Sequence, residues 1–224
     1  MRHPLTFALV WLITLTAFGQ TKRQSVQRPV LIGVDIAKPV LSLISPYRTA
    51  FRLGEVTVKV PIAGNRYLSV VAGYGQARSD TIYRNIRMKL SGPYLKIGTE
   101  RLMSSGLLVG WHGMTALTQE TATYSYRGPT FGDYVVTAFD RQRVVVGMEG
   151  FFGYQQTLSD RLIFRVSGRA TVAGLFGTRS KNEPAVLFVP GVGVALGDPV
   201  AVGFGLGLHV FYRTNPRPVA VSQP

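Results

Sequence analysis

Apolar and polar positions alternate with a period of two over most of the chain from Val30 onward. In Val200 to Tyr212 one face carries Val202, Phe204, Leu206, Leu208, Val210 and Tyr212, and the other carries Gly203, Gly205, Gly207, His209 and Phe211. In Arg161 to Ala173, Leu162, Phe164, Val166, Ala170 and Val172 oppose Arg161, Arg165, Ser167, Arg169 and Thr171. Successive side chains of a strand point to opposite faces, so each segment reads as a strand whose two faces meet different surroundings. The alternation recurs in Val30 to Ala37, Gly54 to Ile62, Leu68 to Gln76, Tyr94 to Arg101, Leu107 to Thr115 and Val144 to Tyr154, which makes eight strands. Past the N-terminal segment no apolar run approaches the length of about 18 residues that a membrane helix needs.

The connections alternate in length. Gly64-Asn65, Ser104-Ser105 and Thr157 to Asp160 read as tight turns, whereas Ala77 to Ser91, Gln119 to Arg143 and Leu175 to Pro199 read as long polar or basic loops. Transmembrane barrels show this asymmetry, with short periplasmic turns and longer extracellular loops. Val186 to Ala195 is also strand-like. Because single-chain bacterial barrels have even strand numbers, Phe188 to Gly193 is assigned to the last outer loop as a hairpin extension, in keeping with Pro190.

The fold class expected is therefore all-β: an eight-stranded, antiparallel, up-and-down transmembrane β-barrel. A soluble sandwich buries its bulky faces and shows charge to solvent, not rows of glycine and alanine. Eight strands leave an interior just wide enough for side chains. The inward set then comprises Asp35, Glu55, Glu100 and Glu149 against Lys59, Lys96, Arg161, Arg165 and Arg169. Buried charges are costly unless paired, so a salt-bridge network is expected to plug the lumen, leaving no open pore. Tyr67, Tyr74, Tyr94, Trp111, Tyr154, Phe211 and Tyr212 lie near strand ends, as interfacial aromatic girdles do.

Composition adds location. Arg2, the apolar run Leu5 to Ala17 and the small residues of Ala17-Phe18-Gly19 read as a signal peptide, residues 1–19, cleaved before Gln20. Residues 20–224 form one barrel domain with a short tail, 213–224. Of the 25 Lys and Arg residues only Arg2 is lost, and with 11 Asp and Glu the mature chain carries a net charge of +13. The absence of cysteine excludes a disulfide framework, a Cys-ligated zinc and a lipid-modified N-terminal cysteine.

The leader, the eight alternating strands, Gly92-Pro93-Tyr94-Leu95-Lys96-Ile97-Gly98, Phe188 to Gly193 and the closing Phe204-Gly205-Leu206-Gly207 together resemble uncharacterised small outer-membrane barrels of Bacteroidetes-type bacteria. The resemblance covers most of the mature chain and implies a barrel in the outer membrane of a Gram-negative cell, with no activity to carry over. Such barrels often end on an aromatic residue read by the assembly machinery, a partner expected here too. In this chain Phe211-Tyr212 is followed by Arg213 to Pro224.

Candidate chemistry is sparse. His112 faces the expected lumen, but no Gly-x-Ser-x-Gly elbow accompanies it, so the chain is read as a non-enzyme without cofactor; a barrel-borne lipid hydrolase is the alternative. Three histidines without clustered carboxylates suggest no metal site. The sharper candidates are the basic outer segments: Arg78, Arg84, Arg87 and Lys89 in one, Arg127, Arg141 and Arg143 in the next, Arg179 and Lys181 in the last. Guanidinium groups bind phosphate in bidentate fashion, so these residues are candidate contacts to lipopolysaccharide and other outer-membrane lipid. Export argues against nucleic acid as partner, and a monomer is expected. A soluble, lipocalin-like barrel is the other alternative; its bulky faces would point inward, around a small apolar ligand.

Overall fold

The computed structural model describes residues 29–37, 52–62, 64–79, 86–128, 132–177, 188–196 and 199–214. The alternating segments form β1 (Leu31–Asp35), β2 (Arg52–Pro61), β3 (Arg66–Ser79), β4 (Ile86–Leu102), β5 (Leu107–Gly128), β6 (Gly132–Thr157) and β7 (Leu162–Phe176). Two short strands follow, β8 (Phe188–Val189) and β9 (Gly193–Leu196), and then β10 (Val200–Arg213). Each strand from β1 to β7 pairs antiparallel with the next, β7 pairs with β10, and β10 returns to β1 through Leu31 opposite Arg213 and Asp35 opposite His209. The result is a closed ring of eight strands, with all eight expected strands in it. Closure leaves no free edge within the ring.

Bulky apolar side chains cover the outside of the ring, and charged ones lie inside it beside an apolar cluster. Phe152, Phe204 and Leu206 point outward and are about 70% exposed, while Lys59 and Lys96 point inward and are fully buried. Each of the eight ring strands carries an outward bulky apolar side chain that is more than 40% exposed: Ile32, Val56, Tyr74, Ile97, Trp111, Met148, Val172 and Phe204. No helix among the described residues is long and apolar enough to cross a membrane.

One end of the ring has short turns. Gly106 takes φ 87° in the β4–β5 turn, a left-handed conformation in which a side chain would be strained. The opposite end departs from the sequence reading. Ala77 to Ser91 is mostly strand: β3 runs to Ser79 and β4 starts at Ile86. Gln119 to Arg143 is not a loop either. β5 and β6 continue as a hairpin up to Gly128 opposite Gly132, with a bulge between Ala122 and Thr123. β4 accompanies this hairpin only to Tyr124, and β7 leaves β6 at Val144.

Phe188 to Gly193 is a hairpin, as expected, but it turns inward. Phe188, Val189 and Val192 are at most 2% exposed and join Tyr94, Met114, Val145, Ala173 and Ala201 in the larger apolar cluster of the lumen. Gly191 takes φ 80°, and a Cβ there would meet the Tyr94 ring at 2.9 Å. The hairpin therefore closes one mouth of the ring.

Candidate functional site: a buried charge network and a basic rim

The inward positions of seven strands meet in a network of carboxylates and cations. Glu100 on β4 lies between Lys59 of β2 and Arg165 of β7, with Oε1 to Lys59 Nζ and Oε2 to Arg165 Nη1 both 2.7 Å. Lys59 also lies over the Phe211 ring at 3.9 Å, and Arg165 over Phe151 at 4.9 Å, so each ammonium or guanidinium has an aromatic neighbour as well as a carboxylate. Glu149 on β6 accepts from Lys96 Nζ at 2.6 Å and from Thr171 Oγ1 at 3.2 Å, and pairs with His112 Nδ1 at 3.2 Å. Glu55 on β2 accepts from the Tyr94 hydroxyl at 2.7 Å and faces His209 Nε2 at 3.3 Å and Arg169 Nη1 at 3.6 Å. Asp35 Oδ1 accepts from the backbone N–H groups of Ala37 and Leu208, which ties β1 to β10.

Four acids thus meet four bases in the middle of the lumen. Arg161, expected as a fifth base, is not among them. It precedes the first residue of β7, lies exposed in the β6–β7 turn and donates to the Tyr212 hydroxyl at 3.1 Å. Strand parity stops applying where the strand stops.

The space left inside is small. A cavity of about 30 Å³ lies among Glu55, His112, Glu149, Ser167, Arg169 and His209, room for one or two water molecules. Asp35, Glu55 and His209 place ligand-type atoms within 4.8 Å of one another, a grouping that spans β1, β2 and β10 and that no sequence spacing reveals. Three neighbours already engage Glu55 there.

The basic outer residues separate into two groups. Arg141 and Arg143 are turned inward, not outward: Arg141 Nη2 is 2.6 Å and Arg143 Nη1 3.5 Å from the buried Glu120. Glu120 was missed in the sequence because it sat in an apparent loop. In the β5–β6 hairpin it occupies an inward position and neutralises part of the charge expected to face outward. Arg78, Arg87 and Lys89, by contrast, are exposed on the outward face of β3 and β4, with Arg78 directly opposite Lys89. Arg127 belongs to β5. Arg84, Arg179 and Lys181, residues 1–28 and the tail beyond Thr214 lie outside the described residues.

The aromatic set divides in the same way. Tyr74, Trp111, Tyr154 and Tyr212 point outward and are 43–51% exposed. Tyr94 and Phe211 are buried in the lumen and Tyr67 packs on the cluster of Leu31, Ile163 and Phe211, so these three are not girdle residues. Period two places them: Tyr67 shares parity with the inward Ser69 and Val71, Tyr94 with Lys96 and Glu100, and Phe211 with His209. No family model matches the chain, and no curated protein or solved structure matches it.

Proposed function

We propose that the chain is a β-barrel of a Gram-negative outer membrane, exported by residues 1–19, with a structural or surface-interaction role and a lumen closed to diffusion. One observation carries this reading: a belt of exposed bulky apolar side chains surrounds a closed ring whose interior holds charged groups paired with one another beside an apolar cluster. Lipid is the surrounding that stabilises such a belt, and the ring leaves no backbone edge to be satisfied in lipid. A ligand-carrying soluble barrel needs the opposite orientation and a cavity of roughly 300 Å³ or more. Heat-modifiability on a denaturing gel, boiled against unboiled, together with outer-membrane fractionation tests the proposal. A mobility shift with outer-membrane enrichment is expected; a protein that stays soluble without detergent and shows no shift would refute it.

At the loop-bearing rim, Arg78, Arg87 and Lys89 are the groups placed to contact lipopolysaccharide phosphate, being exposed beside the belt and without a carboxylate partner among the described residues. Charge reversal of Arg87 and Lys89 should reduce the lipopolysaccharide that co-purifies with the protein; unchanged co-purification would reject specific contact.

A further inference from the structure

The β3–β4 pair carries a second basic couple, Arg66 directly opposite Arg101, at the short-turn end of the ring. Both are exposed on the outward face, because Arg66 shares parity with Val70 and Tyr74, and Arg101 with Leu95 and Ile97. Opposed strand positions bring Cβ atoms to within about 4.5–5.5 Å, and like charges so placed destabilise a sheet. The flanks offer no relief. Arg101 is opposite Val109 on its other side, and the chain beside Arg66 is Ile62, both apolar and about half exposed. No carboxylate among the described residues pairs with either arginine.

Their height is informative. Arg78 opposite Lys89 lies twelve positions further along the same two strands. At about 3.4 Å per residue and a tilt near 40°, that is roughly 30 Å along the ring axis, the thickness of a bilayer's hydrocarbon core. Between the two couples the positions of outward parity are Leu68, Val70, Ala72, Tyr74 and Gln76 on β3, and Ser91, Pro93, Leu95, Ile97 and Thr99 on β4. The couples therefore bracket a mainly apolar span, with the polar pair Gln76 and Ser91 at its Arg78–Lys89 end, at the two levels where lipid phosphates lie.

We propose that Arg66 and Arg101 together bind the phosphate of a membrane phospholipid at the short-turn rim, an inference that rests on the membrane-barrel reading. Two guanidinium forks on adjacent strands can each donate two N–H bonds to one phosphate, which removes their mutual repulsion, while the acyl chains lie along Ile97 and Val109. Lipid is the source of the phosphate because the apolar belt begins directly beside the arginines.

The test uses the full mature chain in detergent, titrated with phosphatidylglycerol, with uncharged diacylglycerol and with inorganic phosphate, bound molecules being counted by native mass spectrometry. R66Q/R101Q should weaken phosphatidylglycerol binding about tenfold or more, R66K/R101K should restore only part of it, and R78Q/K89Q should leave this short-turn site occupied. Equal binding by wild type and R66Q/R101Q, or binding of diacylglycerol as tight as that of phosphatidylglycerol, would overturn the clamp. Inorganic phosphate bound as tightly as the lipid would overturn the lipid source. Insertion into vesicles and heat-modifiability, measured on the same samples, separate the two levels. A chain that inserts but shows no arginine-dependent binding defeats the clamp alone, whereas one that does not insert defeats the membrane reading and the clamp with it. The single variant R101Q serves if the double variant fails to fold.

Discussion

Removing the carboxylate of Glu100 while keeping its shape, Glu100→Gln, tests whether the lumen is dry and paired. Glu100 is 3% exposed at its side chain, Lys59 0% and Arg165 6%, and both N···O distances are 2.7 Å. In the variant two cations remain buried beside a neutral amide. Taking one partner from a buried ion pair costs about 3–5 kcal/mol, because the charge left behind keeps its desolvation penalty. A pair bathed in water would lose only about 0–1 kcal/mol. The stacking of Lys59 on Phe211 and of Arg165 on Phe151 softens the loss without abolishing it, since an aromatic face offers a cation about 0.5–2 kcal/mol. Reversible denaturant unfolding in lipid vesicles, followed through Trp111 emission, measures the difference, and adding Lys59→Met gives the coupling between the two residues. The expected result is a loss of about 3 kcal/mol or more, with a coupling above about 1 kcal/mol, as for residues in one network. A loss under about 1 kcal/mol would mean that water fills the lumen, and the closed-lumen account would fall.

Three further outcomes follow from the same packing. Planar-bilayer recordings should show no stable large conductance, since paired charges, aromatic rings and the β8–β9 hairpin occupy the interior; a steady open level would refute the plug. Phe204→Arg, placed where the side chain is 70% exposed in the apolar belt, should destabilise the vesicle-inserted protein by about 2–4 kcal/mol, and an unchanged unfolding midpoint in vesicles would argue that this face does not meet lipid. Gly191→Val puts a branched side chain at φ 80° against the Tyr94 ring and should cost about 1–3 kcal/mol; a wild-type melting curve would show that the β8–β9 hairpin does not sit in the mouth.

What could be read from the sequence was parity. Within a strand the period of two decides the face, so the eight ring strands and eight of the nine expected inward charges follow from the pattern alone. Arg161 failed because parity says nothing about where a strand ends. The β5–β6 hairpin was illegible for another reason: beyond Leu117 and Val144 the strict alternation fades, with the neighbours Tyr134 and Val135 both exposed, and Glu120, Arg141 and Arg143 look like loop. The inward turn of Phe188, Val189 and Val192 depends on contacts with Tyr94 and Met114, which no local pattern encodes. Cross-strand register was equally hidden. Gly33 is opposite Phe211, Gly73 opposite Tyr94 and Gly110 opposite Phe151, and a Cβ at any of the three glycines would overlap the ring it faces. The small residues of the inner face are thus seats for aromatic rings that fill the lumen, where the sequence showed only a row of glycines.

The charge distribution follows from this packing. A narrow interior holds ionised groups only in pairs, so the lumen takes Asp35, Glu55, Glu100 and Glu149 with Lys59, Lys96, Arg165 and Arg169 in equal number. Glu120 does the same for Arg141 and Arg143 near the mouth, at a surplus of one base. Five of the 11 acidic residues are thereby enclosed. Among the described residues, Arg66, Arg78, Arg87, Lys89, Arg101 and Arg161 are exposed outside this set. An apolar belt does not hold charge either, and on β3 and β4 the cations occur where the belt ends, at Arg66 with Arg101 and at Arg78 with Lys89. In the proposed membrane barrel, pairing inside and apolarity around the middle leave the rims as the place for these basic groups, and anionic lipid, rather than anything threaded through the ring, is the partner we propose for them.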